Sequence, residues 1–194
     1  MVKIFAALLL VLPALGQSGN WQQLFDGRTL NGWTPLETSN PGATGDWSVR
    51  NGAISCPGRS AGWLMSSVAV ADFHLRLQFR GKETTNSGVF LRSQREGQPH
   101  ITGYELQIWD YQPEGYRTGS LVNTVKAPPV KIKGGQWNDY DITATGDHFV
   151  VLLNGKPLLD AHDGAHAAGH IGFQCQPNYK IEFRNIRLLV SAPK

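Results

Sequence analysis

The segment Phe73–Arg80 alternates strictly, with Phe73, Leu75, Leu77 and Phe79 on one side and His74, Arg76, Gln78 and Arg80 on the other. A period of two belongs to a strand with one buried face. The same period returns over residues 104–110, where Tyr104, Leu106 and Ile108 stand opposite Glu105, Gln107 and Trp109. Shorter runs predict strands over 63–65, Ser87–Ser93, 140–145, His148–Leu153, 158–161, 169–174 and 180–190. Within 46–56 two alternating pieces flank Asn51-Gly52, a strong hairpin signal, and Asn154-Gly155 closes a second hairpin-like pair. No long segment keeps helical spacing. About ten short strands with turn residues between them predict an all-β chain, an antiparallel sandwich or jelly roll of two sheets.

The N-terminus carries a different pattern. Lys3 precedes an apolar run over 4–15 broken by Pro13, and Ala14 and Gly16 supply the small residues a signal peptidase inspects. This run is shorter than the roughly 20 residues a membrane span needs. Residues 1–16 therefore read as a signal peptide and 17–194 as a single exported domain, periplasmic or secreted, with no membrane attachment after cleavage. The net charge of +3 comes from scattered basic residues, which argues against a nucleic-acid partner. Cys56 and Cys175 are the two cysteines; they either bridge, as an oxidising compartment allows, or stand as separate buried thiols.

Candidate chemistry follows from which face each residue takes. If Leu106 and Ile108 point inward, Glu105, Gln107 and Trp109 point outward. A Trp beside planar polar groups suits a sugar, whose C–H face packs on indole while its hydroxyls bond to amides and carboxylates. The alternative is a cross-strand Trp that merely covers its neighbours. Arg92 is either an ordinary ion-pair partner or a fork aimed at a substrate oxygen. The expected site is a hollow shared by the polar sides of Phe73–Arg80 and 104–110. His162, His166 and His170 recur every fourth residue, but Gly and Ala between them read as loop, so no metal is expected. No nucleotide-binding or serine-hydrolase motif is present in the sequence, and no cofactor is expected.

Eight segments in order carry a family resemblance. They are WQQLFDGRTLNGW at 21–33, NSGVFLR at 86–92, GYELQIWD at 103–110, TGSL at 118–121, QWN at 136–138, LNG at 153–155, GFQ at 172–174 and FRNIR at 183–187. Together they resemble the DUF1080, or 3-keto-disaccharide hydrolase, domain family. The resemblance spans nearly all of 17–194 and implies a concanavalin-like jelly roll, export, and cleavage of 3-keto-glycosides by hydrolysis or β-elimination. A non-catalytic carbohydrate-binding module is the alternative. An oxidoreductase supplying the keto sugar is the implied partner. Val122-Asn123 replaces a Tyr common in the family, and 175–179 replaces an Asp-His-Gly pattern. On this reading Glu105 is base or acid, Arg92 and Lys126 stabilise an enolate, and Asp110 is a second carboxylate. Asp110 falls on the apolar parity of its strand, so it serves only if the strand ends or bulges there. Asn86, Gln107, Trp109, Trp137, Gln174 and His74 hold the sugar.

Overall fold

The computed structural model describes residues 20–191; the expected signal peptide lies outside them. Thirteen strands form two antiparallel sheets that face each other as a jelly-roll sandwich. The larger sheet runs β11 (Lys156–His162), β10 (His148–Leu153), β9 (Asn138–Thr145), β6 (Phe73–Arg80), β13 (Ile181–Val190), β4 (Ala53–Cys56), β3 (Ser48–Arg50). The short β1 (Gln22–Gln23) also pairs with β13. The smaller sheet runs β2 (Trp33–Leu36), β5 (Gly62–Val70), β12 (Gly169–Cys175), β7 (Ser87–Ser93), β8 (Tyr104–Ile108). One helical turn, α1 (Pro99–Thr102), sits between β7 and β8.

Alternation decides which side chains fill the space between the sheets. Phe73, Leu75, Leu77 and Phe79 of β6 meet Val89, Leu91, Leu106, Ile108 and Phe173 of the smaller sheet in one core. Phe173 of the smaller sheet stacks on Phe183 of the larger at 4.0 Å and on Trp33 of its own sheet at 5.0 Å, so an aromatic pair carries part of the contact between layers. Asn51 and Gly52 both have positive φ, 50° and 74°, the geometry of the tight hairpin turn that joins β3 to β4. Asn154 and Gly155 do the same between β10 and β11, rather than closing the β9–β10 pair.

Cys56 on β4 and Cys175 on β12 form a disulfide that ties one sheet to the other, with Cα atoms 6.1 Å apart and 119 residues between them in sequence. Closing a loop this long restricts the unfolded chain by up to about 5 kcal/mol in the chain-entropy account.

The sheet assignment corrects the shared hollow. β6 belongs to the larger sheet and β8 to the smaller, and both turn their apolar sides toward the common core. Their polar sides therefore face opposite directions, on the two outer surfaces of the sandwich.

Candidate active site on the five-stranded sheet

The outer face of the smaller sheet is where the candidate residues converge. Glu105 and Gln107 alternate with the core residues Tyr104, Leu106 and Ile108. Gln174 alternates with the core residues Phe173 and Cys175, and Phe90 with Val89 and Leu91. Trp63, Met65 and Phe90 form a second apolar cluster on this face, with Leu36 packed against it and Trp63 edge-on to Phe90. Asn86 precedes Ser87 on the outward parity of Gly88 and Phe90, and Trp109 follows Ile108 on the parity of Glu105 and Gln107. Three of the expected residues, Glu105, Gln107 and Gln174, thus belong to one side, while Asn86 and Trp109 flank β7 and β8 just beyond the strand ends.

Glycine makes room for the carboxyl. Gly88 lies opposite Gln107 on the neighbouring strand, and Phe90 opposite Glu105. A Cβ added at Gly88 would meet Glu105 Oε1 at 2.5 Å and its Cγ at 2.7 Å, so the Glu105 side chain lies directly over that backbone. Gly172 plays the same part under the Met65 sulfur.

Backbone bonds fix β8 from both sides. The segment beyond its edge pairs with it: Gln107 N–H donates to Ser120 O, Gly119 N–H to Gln107 O, and Val122 N–H to Glu105 O, each at 2.9 Å. From the opposite sheet, the Tyr140 hydroxyl crosses the core and donates to Gln107 O at 2.9 Å. The Ser87 hydroxyl donates to Gln174 O at 2.7 Å, locking β7 to β12.

Glu105, Gln107, Gln174 and Trp63 are only 5–6 % exposed, so their side chains are closely packed on this face. Burial pushes the Glu105 carboxyl up to about 8, and the adjacent Gln174 amide offsets part of that rise. Gln107 Oε1 accepts from the Ile108 N–H at 3.0 Å, which turns its amide nitrogen the other way. Gln174 Oε1 is buried without a hydrogen-bond partner, an acceptor left open on a polar, aromatic-floored face. His100, from α1, stands edge-on to Trp63 at 6.2 Å, and burial lowers its pKa.

The other expected residues are elsewhere, for identifiable reasons. Arg92 has φ 55°, and its side chain turns inward from the end of β7. Its guanidinium donates to the carbonyls of Ala71, Gly146 and His166 and to Asp72, lies over Phe149, and is 1 % exposed. Four of its five N–H groups are used in this way, and it is a structural cross-link. Asp110 lies beyond the end of β8, buried, accepting from the Thr118 hydroxyl at 2.6 Å and the Ile132 N–H at 2.9 Å; it anchors the long loop. Lys126 is exposed on that loop, its ammonium 4.9 Å from the Tyr116 ring centroid.

His74 and Trp137 lie on the opposite surface. His74 pairs with Asp141, and Trp137 receives Arg80 and Arg184 over its ring at 4.5 and 4.0 Å. That surface holds a cleft of 440 Å³ lined in part by Arg76, Gln78, Asp139, Asp141 and Arg187. A larger one of 580 Å³ includes Arg80, Lys82, Thr85, Tyr179, Lys180 and Glu182. Size does not decide for the larger cleft: burial raises Glu182, but Arg80 and Lys180 outweigh it and hold the carboxyl below its usual range. Such a carboxylate is a poor proton acceptor.

Alternation alone missed Trp63, Met65, Phe90 and His100. Outward glycines at 88 and 172 were the available signal, since a glycine inside a strand marks a close approach.

Comparison with known proteins agrees with this architecture. A candidate glycosyl hydrolase from Parabacteroides distasonis superposes with a TM-score of 0.75 at 19 % identity, covering 90 % of this chain and 94 % of its own. A second from the same organism gives 0.69 at 24 % identity, covering 89 % and 100 %. The carbohydrate-binding module CBM66 from Bacillus subtilis gives 0.60 at 18 %, covering 81 % and 95 %. At these identities the likeness establishes the concanavalin-like jelly roll. No curated protein matches the chain in sequence. The family model described as the 3-keto-alpha-glucoside-1,2-lyase-like domain matches residues 20–189, and the chain belongs to that carbohydrate-related family.

Proposed function

We propose that the protein is an exported enzyme that cleaves 3-keto-glycosides on the outer face of its smaller sheet. The observation that carries this reading is Glu105: a carboxyl raised to about 8, laid over Gly88 between Gln107 and Gln174 and next to an aromatic floor. A ketone at C3 of a sugar acidifies the C2 proton, because the electron pair left behind spreads onto the carbonyl oxygen. Glu105 takes that proton as general base; its raised pKa makes it a stronger base than an ordinary carboxylate. The enolate then expels the C1 oxygen, the C1–O bond taking its electrons with the leaving group, which picks up a proton. Water adding across the resulting C1–C2 double bond gives net hydrolysis; release before that step gives the lyase product. The amides of Gln107 and Gln174 supply polar contacts to sugar oxygens.

The Cys56–Cys175 bridge supports export to an oxidising compartment. An oxidoreductase acting earlier on the sugar is the class of reaction that supplies the ketone. The likeness to a carbohydrate-binding module supports the second reading, a sugar-binding domain without turnover. Product analysis after incubation with a 3-keto-glucoside separates them. Release of the aglycone establishes the enzyme, saturable binding without release establishes the module, and neither result removes both.

A further inference from the structure

We propose that the edge hairpin β10–β11 carries a surface site for a divalent first-row transition ion such as Zn²⁺, with His148, His162 and Asp160 as ligands. His148 and His162 are direct cross-strand partners, and their rings stack at 4.4 Å with an interplanar angle of 5°. Asp160 precedes His162 by two residues and so shares its face; its Oδ1 lies 2.7 Å from His148 Nε2. One ligand atom from each of the three lies within 4.8 Å of the others. Ligand atoms on a tetrahedral Zn²⁺, at about 2.0–2.1 Å from the ion, are roughly 3.3–3.5 Å apart. Closing the difference takes side-chain adjustments of up to about 1.5 Å, open to side chains on the outer face of the edge hairpin.

The surroundings favour an ion as well. His162 Nδ1 lies 3.2 Å from Asp147 Oδ1. A carboxylate on one ring nitrogen fixes the tautomer and leaves Nε2 as the lone-pair donor, the usual support of a metal-bound histidine. Two imidazoles and one carboxylate suit zinc, nickel, cobalt or copper rather than magnesium or calcium. Ligands drawn from both strands would staple the outermost pair of the larger sheet, in which β11 is the end strand among the described residues. This site is separate from Glu105, which belongs to the other sheet.

Calorimetric titration of the metal-stripped, untagged mature chain with ZnCl₂ tests the proposal. One ion per chain is expected, with His148→Ala and His162→Ala each weakening the affinity at least tenfold. Asp147→Asn, a positioning change, should weaken it less and be felt only through His162. Thermal unfolding without zinc should be the same for all these exposed-site variants and wild type, and zinc should raise the midpoint only where the ligands remain. Absence of stoichiometric uptake overturns the site, as does equal affinity in the double His148→Ala/His162→Ala variant.

Discussion

At Glu105 the dominant influence is desolvation, not a neighbouring cation, and this has two consequences of opposite sign. For chemistry, the ionised form is the base, so kcat/KM should climb about tenfold per pH unit below 8 and level off above it. A pH–rate profile of wild type against Glu105→Gln checks this, the variant showing no such limb. For stability, the folded-state pKa of about 8 lies above the ordinary 4.5, so the folded form holds the proton more tightly than the unfolded chain. Stability is complete below about 4.5 and declines as pH rises toward and through 8. The interval converts to roughly 4–5 kcal/mol at the alkaline end. Glu105→Gln should therefore lose activity yet resist urea better than wild type at pH 9 by an amount of that order. Equal alkaline stability of the two proteins would mean that Glu105 is not buried as described.

Among the elements, β6, β7 and β10 coincide with the predicted ranges, and in β6 the strict alternation records its one core face directly, whereas β7 is buried along its whole length. Parity also places Glu105, Gln107 and Gln174 together. It fails at Arg92, since a left-handed residue reverses the side a side chain takes, and nothing local in Phe90-Leu91-Arg92-Ser93 announces it. Conserving the alternation through Arg92 would have put a cation on the site; the kink instead puts it under Phe149 with three carbonyls and Asp72. Arg92→Ala removes a buried guanidinium and its four hydrogen bonds to part-buried acceptors, and a loss of about 2–3 kcal/mol in denaturant-measured stability is expected. A variant that unfolds like wild type but has lost turnover would return Arg92 to the catalytic candidates.

Across the whole molecule, which strand joins which of the two sheets is what the sequence does not reveal. β6 pairs with β9 and β13, whose partners lie about 60–70 and more than 100 residues away in the chain, and the alternation of a strand is silent about its neighbours. His74 and Trp137 look like sugar contacts when read strand by strand. They belong to an outer surface already occupied by the pairs His74–Asp141 and Arg80–Glu182. The fold thus separates a charge-paired surface from an aromatic, amide-lined one, with Glu105 on the latter. The most direct test of that separation is turnover of a 3-keto-glucoside by Glu105→Gln and Trp137→Ala side by side. Loss of at least about 100-fold in kcat for Glu105→Gln, with near-normal turnover by Trp137→Ala, is the predicted result; unchanged turnover by Glu105→Gln would contradict the account.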